Sequence, residues 1–113
     1  MKYTADYRSF LMIRSEEDIW VFPASIDFEK AALYTKKYRE QENRALYFFD
    51  LSATIAMHTS FIGFLLSVKH DLDKSGGRLI LNTSREIEDL FAKMKLTDYF
   101  AASKSVQLLK KTA

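Results

Sequence analysis

The chain has 113 residues, 48% hydrophobic and 28% charged, with a formal net charge of +2 and no cysteine. This balance predicts one folded domain over residues 1–113 and argues against a disordered chain. The small net charge, with Lys and Arg spread along the sequence, argues against nucleic-acid binding, and the lack of cysteine excludes disulfide and thiol chemistry.

The opening stretch, Met1 to Arg8, has no apolar core of signal-peptide length. The longest apolar runs fall far short of the ~20 residues that a membrane span needs. A cytoplasmic protein without membrane insertion is the expectation. Ser9-Phe10-Leu11-Met12-Ile13-Arg14 and Ile19-Trp20-Val21-Phe22 are short strand-like runs. The polar turn Ser15-Glu16-Glu17-Asp18 between them predicts a hairpin. Pro23, which cannot donate to a ladder, closes the second run.

Asp27 is placed to cap a helix with Phe28, Ala31, Tyr34 and Tyr38 on one side and Lys30, Lys36, Lys37 and Arg39 largely outward. A strand over 45–51 follows, and its almost unbroken apolar run predicts cover on both faces. The next helix runs from about Ser60 to Lys74 and is closed by Gly76-Gly77. Arg78 to Asn82 is a further strand. Thr83-Ser84-Arg85-Glu86 resembles a capping box before the helical stripe Ile87, Leu90, Phe91 and Met94. A last amphipathic segment is expected over 103–111, carrying Val106, Leu108 and Leu109. The order implies an α/β fold: a mixed β-sheet of four to five strands with helices packed on it.

The functional signal lies where Asp50-Leu51-Ser52 gives way to His58-Thr59-Ser60-Phe61-Ile62-Gly63. A strand ends there and a helix opens with hydroxyls in its first turn. A helix start carries unpaired N–H groups and the positive end of the dipole. A hydroxyl there can cap, bind an anion or carry a phosphate. Thr59 is accordingly either an N-cap or a modifiable hydroxyl. Ser60 is a cap or first-turn residue, and Ser52 and Thr54 read as loop residues.

The apolar positions of this helix cover an arc of roughly 200°, against the 100° or somewhat more that one buried face requires. Ile62, Leu65, Leu66 and Leu72 suffice for a core. Phe61, Phe64 and Val68 are then surplus, covered by segment 103–111 or exposed to a partner, and partial exposure of Phe61 and Phe64 is the expectation. Lys69 and Asp73 are spaced to pair across one turn.

Enzyme readings are weak. Ser60, His58 and Asp50 suggest a serine hydrolase, but there is no Gly-x-Ser-x-Gly elbow. His58 and His70 lack metal-ligand spacing. Gly76-Gly77 lacks the Lys-Ser/Thr of a phosphate loop and opens a strand. No catalytic residue, cofactor or metal is expected.

Four features together resemble the STAS domain family of anti-sigma factor antagonists and sulphate-transporter tails. Ala24-Ser25-Ile26-Asp27 stands where the family has Gly-x-Leu-Asp, and Leu46 to Ser52 matches its buried strand ending in Asp-Leu-Ser. His58-Thr59-Ser60-Phe61-Ile62-Gly63 falls at the spacing of its Asp-Ser-Ser-Gly-Leu-Gly. Gly76-Gly77-Arg78-Leu79-Ile80-Leu81, then Leu90-Phe91 and Leu96, follow its ending. His58, Phe61 and Ala24 depart from the family's residues.

The resemblance implies an anti-sigma factor antagonist acting in partner switching. Its partner would be an anti-sigma factor that is also a serine/threonine kinase, or another signalling protein. Thr59 stands at the phosphorylated hydroxyl, with Ser60 as fallback. The contact surface would be Asp27, His58, Thr59, Ser60, Phe61, Ile62 and Phe64, with the Pro23-Ala24-Ser25 turn beside it. The alternative within the family is a non-phosphorylated scaffold or accessory protein in a signalling or transport complex.

Overall fold

Three parallel strands form the centre of the molecule in the order β1 (Glu17–Val21), β3 (Leu46–Leu51), β5 (Arg78–Thr83). The computed structural model describes residues 17–42 and 44–103. A second, two-stranded parallel sheet pairs β2 (Ser25–Ile26) with β4 (Ala56–Met57). The helices are α1 (Phe28–Glu40), α2 (Thr59–Ser75) and α3 (Arg85–Lys93), followed by a 3₁₀ turn at Ala101–Ser103. The fold is α/β, and every strand pairing among the described residues is parallel. The strand expected over 9–14 lies outside the described residues, as does nearly all of the segment 103–111.

The register places Trp20, Phe49 and Leu81 side by side, with Tyr47 and Leu79 two residues earlier on the same face. This face is the buried one. Trp20 stacks on Phe49 at 5.2 Å and on Phe64 of α2 at 6.1 Å. Phe22 meets Tyr34 of α1 edge-on at 4.8 Å, and Phe61 at 5.2 Å. Offset and edge-on rings of this kind add to the area they bury. The opposite face is less covered than the apolar run of β3 suggests. Leu46, Phe48 and Ile80 there are half-buried, while Ile19 and Val21 are 55% and 71% exposed. β3 accordingly alternates buried and half-buried residues, one face of the strand being the better covered.

Phe61, Ile62, Phe64 and Val68 are all buried, which corrects the expectation of a surplus apolar flank. The physical reason is the position of α2. It packs on the sheet, against α1 and against β5, so a single-face stripe is too narrow for it. Leu66, assigned to the core, is half-buried.

Capping follows chemistry already visible in the residues. Asp27 Oδ1 accepts the Lys30 N–H at 2.8 Å. At α3 the cap is Ser84, which accepts from Ile87, not Thr83; the Thr83 hydroxyl instead bonds Glu88. Gly76 ends α2 in the left-handed region at φ 81°. Gly77 follows because the chain passes too close for a side chain. A Cβ there would lie 2.8 Å from both the Ala45 carbonyl oxygen and Leu72 Cδ2. Gly77→Ala is therefore expected to lose about 1–3 kcal/mol by urea denaturation, through a forced shift of β3 against α2.

Candidate functional site

The start of α2 is built from the C-terminal ends of the strands. Phe22 N–H donates to Asp50 O, and Ile55 N–H to Ala24 O at 2.8 Å. The His58 N–H donates to Ile26 O at 2.8 Å, which seats α2 beside the first turn of α1. Buried Thr54 ties the loops: its hydroxyl donates to Pro23 O at 2.7 Å, and its carbonyl accepts from the Ser84 hydroxyl at 2.5 Å. Thr54 lies in a loop, as its sequence suggests, but is fully buried there. A β-branched hydroxyl between two short strands was the available signal for a buried cross-link.

His58, not Thr59, caps α2. Its Nδ1 accepts the Ser60 N–H at 3.0 Å, and the Ser60 hydroxyl lies 2.8 Å from the same nitrogen. Nδ1 must carry a lone pair to accept the amide, which assigns the Nε2–H tautomer. The imidazole thus does the work usually given to Asp or Ser at this position. Thr59 is consequently the first helical residue, exposed, and its hydroxyl makes no hydrogen bond among the described residues. The reading of Thr59 as a simple N-cap is corrected.

The remaining candidates separate by exposure. Asp27, His58 and Thr59 are exposed and Ser60 is half-buried. The side chains of Phe61, Ile62 and Phe64 face inward and offer no outer contact surface. A residue not singled out takes their place. Phe28, 60% exposed, stands edge-on to His58 with ring centroids 5.5 Å apart. Strand β2, through the pairing of Ser25 with Ala56 and Ile26 with Met57, lies alongside.

The close His58–Ser60 pair has the look of a nucleophile and its base, yet the rest of such a site is missing. Asp50 is engaged elsewhere: its Oδ1 accepts from the Ser52 N–H at 3.0 Å and from Asn82 Nδ2 at 3.2 Å. Among the described residues no carboxylate bonds His58, and its Nδ1 lone pair is already committed to the helix amide. Among the described residues no cluster of three or more His, Asp or Glu is placed to hold a metal ion. No helix of the described residues is long and apolar enough to cross a membrane.

The Asp50 carboxyl is held below the usual range, first by its hydrogen bond to the Ser52 side chain, then by the Ser52 amide and Asn82, with partial burial opposing. A lowered folded-state value means that the stabilisation is present above the unfolded pKa, about 3.9, and lost as pH falls through the folded value. An Asp50→Asn variant should be less stable than wild type at neutral pH. That gap should close progressively on acidification below about pH 4, as read from urea melts at each pH.

No family model, curated protein or solved structure matches the chain.

Proposed function

We propose that this chain is a STAS-like protein-binding domain that acts as an anti-sigma factor antagonist in partner switching, with no chemistry of its own. The reading carries with it the family's mixed sheet of four to five strands and a cytoplasmic setting. The observation that carries the functional part is the free, exposed Thr59 hydroxyl at the start of α2, released from capping duty by His58. A kinase needs a hydroxyl that it can reach and that no fold-defining bond occupies. Thr59 meets both conditions, and half-buried Ser60, held against His58, meets neither as well.

The partner is an anti-sigma factor kinase or another signalling protein, and the contact surface is the exposed set Asp27, Phe28, His58 and Thr59, with half-buried Ser60 at its edge. Phosphorylation adds about −1.5 to −2 charge at that surface without breaking any bond that holds α2. Incubation with extract of the cells that express the protein, plus ATP, is expected to place a phosphate on Thr59, detectable by mass spectrometry. A phosphate absent from Thr59, with partner binding intact, would leave the unphosphorylated scaffold instead. Labelling of Ser60 by a covalent serine probe would revive the hydrolase.

A further inference from the structure

A groove runs between α1 and α2. The two helices run the same way: Phe28 meets His58 at one end, and the Tyr38 hydroxyl donates to Asp71 at 3.1 Å at the other. Two concavities between them share Thr35, Arg39 and Ser60, so they form one trough from Phe28 to Asp71.

Gly63 lies in its floor. An exposed glycine inside a helix weakens that helix relative to alanine. Nothing among the described residues requires it, for a Cβ at Gly63 would meet no atom within 4 Å and its backbone is not left-handed. The open space over Gly63 leaves room for a close approach from outside.

The walls differ in charge. Lys36 and Arg39 line the α1 side, with Glu40 at its far end, and neither cation has an ion pair among the described residues. The α2 side offers Ser60, Gly63 and Ser67, with Asp71 already engaged by Tyr38. Because α1 and α2 are parallel, their positive dipole ends coincide near Phe28 and His58. A third helix laid antiparallel to both brings its negative end there. From Phe28 to Arg39 the trough is about 16 Å long, three turns of helix at 1.5 Å per residue.

We infer that this trough receives an amphipathic helix of a partner protein, antiparallel to α1 and α2, with a narrow apolar stripe over Gly63 and acidic residues facing Lys36 and Arg39. The inference rests on the proposed role of the α2 start as a protein-contact surface and names the chemistry of what docks there. A phosphate on Thr59 would then add negative charge at the end where the occupant's own negative end lies.

The test pans the full-length protein against a displayed library of 14-residue amphipathic helices, and synthesises the enriched peptides for fluorescence polarisation. Enriched peptides should carry Asp or Glu along one flank. Their Kd should rise at least tenfold on Gly63→Leu and on the pair Lys36→Glu/Arg39→Glu, while Gly63→Ala holds or raises the melting temperature. Peptides that bind Gly63→Leu equally well, peptides with basic flanks, or no enrichment at all would overturn it. Cell-extract capture separates the two ideas. If capture of the natural partner falls on Thr59→Glu but not on Gly63→Leu, the trough is wrong and the contact surface stands. If neither variant changes capture, both fall.

Discussion

Phe61→Ala should cost this domain about 3–5 kcal/mol of stability, lowering its melting temperature by more than about 10 °C. The ring is fully buried and is held from three directions: Phe22 of the strand end at 5.2 Å, Tyr34 of α1 at 6.0 Å and Phe64 of its own helix at 5.4 Å. Three packed neighbours limit collapse into the space left behind, so the cavity cost adds to the lost transfer energy. Phe61→Leu keeps most of the volume and should lose clearly less. A domain of this size holds about 5–15 kcal/mol in total, so the alanine variant would sit close to unfolding at 37 °C. Had Phe61 been an outer contact residue, alanine would weaken partner binding and leave the melt unchanged. A thermal melt followed by circular dichroism decides between these outcomes.

The second large effect is expected at Thr59, with the opposite signature. Thr59→Glu should leave the melting temperature within about 2 °C of wild type, because a carboxylate in the first turn of a helix is mildly favourable, by about 0.3–1 kcal/mol. In a protein contact the same charge is desolvated without a partner. Such an uncompensated charge costs several kcal/mol for a dianion and less for a single carboxylate. At 1.4 kcal/mol for each tenfold in affinity, a true phosphate should weaken binding by about a hundredfold or more, and the glutamate by roughly tenfold. Thr59→Ala should bind as the wild type does and resist phosphorylation. Stability and affinity thus part company at 59 and move together at 61, two residues along one helix.

The ends of the helices were legible in the sequence because capping is local chemistry: Asp27 before a helical stripe, and Gly76-Gly77 after one, act within a single turn. The exposure of Phe61 and Phe64 was not, because it depends on how many neighbours α2 has. Periodicity reports the width of an apolar face but not whether that face meets a sheet alone or a sheet and flanking elements. Strands β2 and β4 were missed because two residues carry no alternation, although their pairing is what brings His58 beside Phe28.

His58 stands where the family in the resemblance has an acid. Its use of a ring nitrogen as a helix cap lies outside the usual set of capping side chains. Once the cap is assigned to His58, the exposed hydroxyl of Thr59 follows by elimination.

The central claim is that the exposed start of α2 docks another protein and that a phosphate on Thr59 ends the contact. The direct measurement uses two baits, the unmodified protein and protein carrying phosphothreonine at 59, in isotope-coded capture from the cells that express it. At least one protein should be depleted by about a hundredfold on the phosphorylated bait, with both baits melting at the same temperature. Indistinguishable captured sets from two equally folded baits would contradict it.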